Sequence, residues 1–192
     1  ISIFGGSLAF IVNNIIEYNI AELSGGIGLR GPDTYVANNV IANNLAGHYN
    51  GGIVLNSPRI TLLNNVVAFN EAQLQPGVRL IGEGVDSVLN NIIWGNISPD
   101  GEQIIIDSDS AVVAFCNIQG GWEGEGNIDV EPLFRHPESS DFHLMSTDCG
   151  DPYDSPCIDA GYPDIIDVFM DCSWGLGTII SDMGAYGGGD SG

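Results

Sequence analysis

A recurring asparagine pair constrains the fold of this chain more than any other feature of its sequence. The pair repeats at steps of 25, 26, 26 and 26 residues, at Asn13-Asn14, Asn38-Asn39, Asn64-Asn65, Asn90-Asn91 and, in altered form, Cys116-Asn117. A second column keeps the same phase, at Asn19, Asn44, Asn70 and Asn96. Two columns in phase indicate a solenoid with about 26 residues per coil, in which each coil stacks on the next.

Apolar residues recur with the same period and predict the strands of each coil. In one strand they stand two positions apart, which is the spacing of side chains on one face of a β-strand. The inward residues of that strand are Ile27, Ile53, Val78 and Ile104, followed by Leu29, Leu55, Leu80 and Ile106. Inward positions are also predicted beside the asparagine pair, at Ile11, Val36, Leu62, Val88 and Ala114 before it and at Ile15, Val40, Val66, Ile92 and Ile118 after it.

The fold class that follows is all-β, a right-handed parallel β-helix solenoid. A single coil cannot bury its own apolar face, whereas stacked coils bury it together. Leucine-rich repeats have similar periods, but the LxxLxL strand pattern is missing. Stacking at about 4.8 Å places equivalent asparagines above one another, so their amides are expected to form hydrogen-bonded ladders. The predicted ladders comprise Asn13, Asn38, Asn64 and Asn90 in one column and Asn19, Asn44, Asn70 and Asn96 in the other.

The composition changes near residue 120 and divides this single domain into two parts. Residues 1–119 carry the coils, whereas residues 120–192 are rich in Gly, Asp, Pro and Cys and are expected to form an irregular cap that closes the solenoid. No CxxC motif occurs, which favours disulfides over a zinc site. Four cysteines allow three connectivities, and spacing alone does not choose between them. These cysteines are Cys116, Cys149, Cys157 and Cys172.

Motifs in both parts of the chain carry a family resemblance. The coils, about residues 1–120, resemble the right-handed parallel β-helices of the pectate-lyase-like superfamily, which have asparagine ladders at a tight turn. The C-terminal motifs resemble the closing segment of secreted bacterial β-helix proteins often called choice-of-anchor Q proteins. These motifs lie at residues 116–122, 126–134, 141–144, 155–161 and 182–186. The likeness implies an exported, extracellular or cell-surface protein, and it implies no reaction.

The chain departs from that family pattern in two places. One insertion carries Cys149, and another, residues 167–174, carries Cys172. The departure implies an extra local disulfide between these two cysteines, and Cys116 is then expected to pair with Cys157. Disulfides persist in oxidising compartments, which agrees with the implied location.

The charge balance restricts the partners of the chain. Aspartate and glutamate number 25, lysine is absent, and the four positive side chains are Arg30, Arg59, Arg79 and Arg135. Such a surface cannot follow a nucleic-acid backbone, and it repels polyanionic glycans. A neutral glycan, a divalent cation or another protein is the expected partner. The apolar runs are too short for membrane insertion.

No residue pattern establishes a catalytic site, and a carbohydrate-active β-helix is the alternative function. A polysaccharide lyase needs a base near clustered carboxylates, and Arg30 and Arg79 are expected about 10 Å apart along the axis. A glycoside hydrolase needs two carboxylates roughly 5 to 10 Å apart. The candidate carboxylates are Glu83, Asp86, Asp107 and Asp109. The catalytic coils of such an enzyme are otherwise expected upstream.

The acidic C-terminal part makes calcium the expected metal ion, with a stabilising role. Calcium prefers carboxylate oxygens on flexible loops, although neither the EF-hand nor the RTX spacing is present. The predicted ligands are Asp129, Glu131, Asp159 and Asp182.

The register also makes a prediction for the first coil. Ile1 and Ile3 fall 26 residues before Ile27 and Leu29, so the solenoid is expected to begin mid-coil. Upstream domains of a longer parent chain, or a second copy stacked end to end, are expected to cover this edge, because uncapped strands pair with other strands. The favoured hypothesis is a non-catalytic, extracellular structural or adhesive module that self-associates end to end into filaments.

Overall fold

The chain forms a parallel β-solenoid, as its repeat predicts. The structure is a computed structural model that describes residues 1–5, 8–31, 33–82, 87–107 and 110–189. Paired residues of neighbouring coils lie 25 or 26 residues apart, which confirms the predicted coil length. None of the described residues belongs to a helix long and apolar enough to cross a membrane.

Each coil contributes three or four short strands. The first coil contains β1 (Ser2–Phe4), β2 (Ala9–Val12), β3 (Ile15–Glu17) and β4 (Ile20–Ala21). The second contains β5 (Ile27–Arg30), β6 (Thr34–Ala37), β7 (Val40–Ala42) and β8 (Leu45–Ala46). The third contains β9 (Ile53–Asn56), β10 (Ile60–Leu63) and β11 (Val66–Ala68). The fourth contains β12 (Val78–Ile81), β13 (Ser87–Leu89) and β14 (Ile92–Trp94), and the last contains β15 (Ile104–Ile106), β16 (Val112–Ala114) and β17 (Asn117–Ile118).

Equivalent strands of successive coils form three parallel sheets. The first sheet has the order β1-β5-β9-β12-β15, the second β2-β6-β10-β13-β16 and the third β3-β7-β11-β14-β17. A shorter pair joins β4 to β8. The inward side chains form one continuous core along the axis, and the predicted first-sheet residues Ile27, Ile53, Leu55 and Leu80 are among its most deeply buried members.

The C-terminal part is irregular and contains a disulfide, as predicted, but most of it lies along the side of the solenoid. It includes the antiparallel strands β18 (Phe134–His136) and β19 (Asp141–Leu144) and two 3-10 turns, Pro137–Ser139 and Thr147–Cys149. Residues 134–187, here called the lateral segment, pack on the outer face of the third sheet. Phe142 and Met183 share a buried cluster there with Val66 and Ile92. The predicted cap over the end is limited to residues near Ile128, which pairs with Asn117.

The third sheet faces the opposite way from the sequence prediction. The sequence predicts an inward residue directly after each asparagine pair, but Val40, Val66 and Ile92 at that position pack outward against the lateral segment. The inward residues are one position later, at Ile16, Ile41, Val67 and Ile93. A left-handed residue at the corner, such as Asn38 with φ of 53°, turns the chain before the strand begins, so the strand alternation cannot be extended across it.

The step to the last coil is one residue shorter than the predicted spacing. Leu89 pairs with Ala114 and Ile92 pairs with Asn117, so Cys116 takes the position of Asn91. Phe115 takes the position of Asn90 and has the same left-handed conformation, with φ of 52° against 57°. The inward partner of Val88 is therefore Val113 and not the predicted Ala114, whereas Ile118 points inward opposite Ile93.

Candidate functional site: the open end of the solenoid

Asparagine ladders run along two corners of the solenoid. In each ladder the backbone N and Nδ2 of one asparagine donate to Oδ1 of its equivalent in the next coil, at 2.9 to 3.1 Å. The second predicted column is confirmed as a ladder of Asn19, Asn44, Asn70 and Asn96. At the other corner the ladder comprises the second members of the pairs, Asn14, Asn39, Asn65 and Asn91.

The first members of the pairs, predicted as a ladder, keep one bond along the axis, from Nδ2 of Asn90 to Oδ1 of Asn64 at 3.3 Å, and mainly have a different role. Asn13, Asn38, Asn64 and Asn90 have φ between 48° and 57°, a left-handed conformation that asparagine tolerates better than most residues. Nδ2 of Asn38 donates to the carbonyls of Ala185 and Gly187, at 3.1 and 2.6 Å. Nδ2 of Asn64 donates to the carbonyl of Asp182 at 2.9 Å. This column therefore fastens the lateral segment to the coils.

On the C-terminal side of the solenoid, each ladder ends at a side chain that is not asparagine, namely Gln103 in one ladder and Cys116 in the other. This side, formed by the last coil, is here called the closed end. Oε1 of Gln103 accepts from the backbone N and Nδ2 of Asn96, both at 3.0 Å, and its Nε2 donates back to the Asn96 carbonyl. Sγ of Cys116 faces the backbone N of Asn91 at 3.3 Å. The sequence reasoning missed Gln103, because it lies 7 residues after Asn96 and outside the 26-residue phase.

The last coil is also covered at the corner of Cys116. The backbone N of Cys116 donates to Oδ1 of Asn127 at 2.9 Å, and Nδ2 of Asn127 donates to the Val113 carbonyl at 3.0 Å. The backbone N of Ile118 donates to the carbonyl of Ile128 at 2.9 Å. These bonds use the groups that the last coil would otherwise offer to a further coil at this corner.

The opposite end of the solenoid, here called the open end, is the edge formed by β1, β2, β3 and β4. Each of these strands has a neighbour on one side only within the described sheets. Oδ1 of Asn14 and Oδ1 of Asn19 are the first acceptors of the two ladders, and no donor in the described part of the chain reaches them. Asn19 is exposed, whereas Asn39, Asn65 and Asn91 are completely buried. The edge therefore presents unpaired backbone groups and two amide acceptors.

Large apolar side chains surround the open end. Phe4, Phe10, Ile15 and Ile20, here called the apolar ring, lie one on each first-coil strand and are 66 to 81% exposed. The equivalents of Phe4 in the next two coils are Arg30 and Asn56. The sequence reasoning missed this ring. Only the Phe4 column changes from polar to apolar in the first coil, since the equivalents of Phe10, Ile15 and Ile20 in the second coil are Tyr35, Val40 and Leu45.

The four cysteines divide into one disulfide and two thiols. Cys149 and Cys172 are bonded, which confirms the first predicted pairing. The predicted bond between Cys116 and Cys157 is wrong, since both are buried free thiols. Cys116 lies in the interior core and Cys157 in the outer cluster, so the third sheet separates them. Burial raises the pKa of each thiol to about 12, which makes both unreactive at neutral pH.

The predicted calcium ligands mostly bind backbone groups. Oδ1 of Asp182 accepts from the backbone N of Asp159 and Oδ2 from that of Leu176, both at 2.8 Å. Asp159 accepts from the backbone and hydroxyl of Thr178, and Asp129 accepts from the backbone N of Gly120. Glu131 is exposed. No group of three or more metal-binding side chains occurs among the described residues, and the calcium site stays a prediction.

Asp182 and Asp167 form a buried acidic pair in the lateral segment. Burial, reinforced by the negative charges of Asp167 and Asp159, raises the pKa of Asp182 to about 7. Burial and the charge of Asp159 raise the pKa of Asp167 to about 6. The backbone N of Asp182 donates to Oδ2 of Asp167 at 3.3 Å. This pair couples the packing of the lateral segment to pH.

Of the candidate catalytic side chains, Arg79 and Asp107 are paired with each other, Arg30 is exposed at the end of β5, and three carboxylates lie outside the described residues. Nη2 of Arg79 bonds Oδ2 of Asp107 at 3.0 Å, and its Nη1 donates to Gln75 at 2.8 Å. Asp109, Glu83 and Asp86 lie outside the described residues.

Comparisons with protein-family models, with curated proteins and with solved structures find no match to this chain. The open end is thus assigned from its geometry alone. It is the place where strand edges, ladder acceptors and exposed apolar side chains coincide.

Proposed function

We propose that this chain is a non-catalytic structural or adhesive β-helix module that attaches to a neighbour through its open end. The observation that carries the proposal is the contrast between the two ends. The ladders end in Gln103 and Cys116 at the closed end, whereas Oδ1 of Asn14 and Oδ1 of Asn19 at the open end have no donor among the described residues. Unpaired strand edges bind other strands, so the open end is suited to attachment.

An extracellular or cell-surface location fits this role. The disulfide between Cys149 and Cys172 is typical of proteins in oxidising compartments. The net charge of −21 keeps such modules apart except at specific contacts. The motif resemblance to the choice-of-anchor Q proteins and to pectate-lyase-like β-helices supports the same location, and calcium is proposed as a stabilising ion of the C-terminal part.

The second candidate function is the binding or cleavage of a neutral glycan. A groove of about 690 Å³ beside the first sheet favours it, because Phe4 and Tyr49 line the groove together with polar side chains. Aromatic faces and amide groups are the usual partners of sugar rings. The polar side chains include Asn50, Gln75 and Arg79.

Imaging and activity measurements on the native protein test the proposal. Intact mass and negative-stain microscopy of one sample are expected to show β-helix density that continues beyond the first coil, either in a larger chain or in filaments. The same sample is incubated with neutral glycans, and new reducing ends are measured. An isolated 20.3 kDa monomer that depolymerises a glycan overturns the proposal in favour of the second candidate.

A further inference from the structure

We infer that the open end is completed by one more parallel β-coil that carries an asparagine at both corners. This inference rests on the proposed function and names the partner chemistry of the same site. In every interior coil, Oδ1 of a ladder asparagine accepts two hydrogen bonds from the preceding coil, as Asn65 does from Asn39 at 3.0 Å. Asn14 and Asn19 are built in the same way but lack these donors in the described chain.

The two acceptors define the donors that fit them. Each Oδ1 requires one backbone N–H and one side-chain amide N–H from the same residue. Asn70 supplies both of these donors to Oδ1 of Asn96. Among the common side chains, asparagine supplies this amide at the length that the ladder spacing allows. Because both corners present such acceptors, the occupant needs an asparagine at each of two corners in the same coil.

A second copy stacked head to tail does not supply these donors. At its closed end the Gln103 amide is bonded to Asn96, and the backbone N of Cys116 is bonded to Asn127. Two open ends placed face to face bring acceptor against acceptor at both ladders, which leaves the oxygens without donors. The chemistry of the ladders therefore favours an unblocked β-coil over a copy of this chain.

The remaining features of the edge fit such a coil. The N-terminal nitrogen of Ile1 already bonds the Gly26 carbonyl at 2.7 Å, as the backbone N of Ile27 bonds that of Gly52 at 2.8 Å. A coil stacked on this edge thus meets a backbone in ladder register. Such a coil also covers the side of the apolar ring that faces away from the second coil. On the other side, Phe10 contacts Tyr35 of the second coil, with ring centres 5.8 Å apart.

Addition of a coil to the full chain tests the inference. A copy of residues 27–52 is fused directly before Ile1, because Gly52 leads into Ile53, whose strand has the register of Ile1 and Ile27. The copies of Asn39 and Asn44 then precede Asn14 and Asn19. The matched control carries Asn39→Ala and Asn44→Ala in the added coil alone. We expect the intact coil to raise the thermal midpoint by at least about 5 °C and to reduce binding of a hydrophobic dye.

The control is expected to lose more than half of that rise. An added coil that stays unfolded on a folded chain, or a control as stable as the intact fusion, overturns the inference. Sedimentation velocity of the unmodified chain supplies an independent measurement and is expected to show a monomer at all concentrations. A dimer that Asn14→Ala and Asn19→Ala dissociate overturns it in favour of a second copy. A different result, cleavage of a neutral glycan by the isolated monomer, overturns the proposed function.

Discussion

Asparagine has two different uses at one corner of this solenoid, and they depend on backbone conformation. Asn64 has φ of 48° and bonds the lateral segment, whereas Asn65, the next residue, is buried in the ladder. The last coil keeps the conformation but not the amides, since Phe115 and Cys116 occupy the two positions. A thiol at a ladder position ends the ladder, because sulfur is a weak acceptor and offers no amide donor.

Thiol titration tests the assignment of the cysteines. We expect no reactive thiol in the native, non-reduced protein, because Cys116 and Cys157 are buried and burial raises their pKa to about 12. Unfolding in guanidinium without reductant is expected to release two thiols, the number of free cysteines. A count of zero in denaturant contradicts the structure and restores the pairing of Cys116 with Cys157.

Asp182 predicts the direction of the pH dependence of stability. Its pKa is raised to about 7 in the folded chain, against about 3.9 in an unfolded one, so the folded state keeps the proton up to a higher pH than the unfolded state does. The stability that this proton confers is complete below pH 4 and is lost as the pH rises through 7. Unfolding free energy, measured by urea titration across this range, is expected to fall with pH.

A carboxamide at this position separates the effect from the general charge of the chain. Asp182→Asn removes the titrating proton, and the slope of unfolding free energy against pH between about 4 and 7 is expected to become shallower. The slope is compared and not the unfolding free energy itself, because the variant also loses the carboxylate oxygen that accepts from the backbone N of Leu176, which lowers stability at every pH. Asp129→Asn, at an exposed carboxylate, is the control. Equal slopes in the wild type and Asp182→Asn contradict the assignment.

At the scale of the element, the third sheet differs from the other two because it is apolar on both faces. Its inward residues join the interior core, and its outward residues pack under the lateral segment. A strand buried on both faces shows no simple alternation, which is the reason that sequence periodicity assigned its faces wrongly. The segment that covers it is held by apolar contacts, by the Asn38 and Asn64 amides and by its own disulfide.

Phe142 is the side chain on which attachment of the lateral segment most depends. It is fully buried, and its ring centre lies 5.3 Å from that of Phe134 and 6.2 Å from that of Phe69 in the solenoid. Phe142→Ala is expected to cost about 3 to 5 kcal/mol and to release the segment before the coils unfold. Hydrogen exchange by mass spectrometry measures this as lost protection within residues 134–187. Tyr153→Ala, at an exposed ring in the same segment, is the control, and unchanged exchange in both variants argues against the packing.

At the scale of the whole molecule, the stacked coils combine a long apolar core with a strongly acidic surface. The chain has 25 acidic residues and four arginines. Three of the arginines form ion pairs: Arg59 with Asp33 and Arg79 with Asp107, each one coil away, and Arg135 with Asp151 in the lateral segment. Repulsion among the remaining charges opposes folding and is weakened by salt.

Salt is therefore expected to raise the thermal midpoint of the chain. Raising sodium chloride from about 0.01 to 0.1 M shortens the screening length from about 30 to 10 Å, and the midpoint measured by circular dichroism is expected to increase. Calcium chloride at equal ionic strength tests the calcium proposal in the same series. A further rise supports a specific site, whereas an equal rise contradicts it. A midpoint that falls with sodium chloride contradicts the role of charge repulsion.

The sequence by itself determined the repeat, and with it the coil length, the parallel sheets and the inward face of the first sheet. These features follow from local periodicity, because stacked coils place residues 26 apart in contact, as Ile27 and Ile53 are. The ladder of Asn19, Asn44, Asn70 and Asn96 was predictable for the same reason.

Tertiary structure alone decided the rest. Asn65 and not Asn64 joins the ladder because Asn64 takes the left-handed corner conformation, and the sequence does not show which asparagine of the pair does so. The separation of Cys116 from Cys157 depends on which face of a sheet each one meets. The register predicted an uncovered edge at the first coil, but only the structure showed that Oδ1 of Asn14 and Oδ1 of Asn19 lie there without donors among the described residues. Contacts between distant segments set these features, and a periodic pattern carries no information about them.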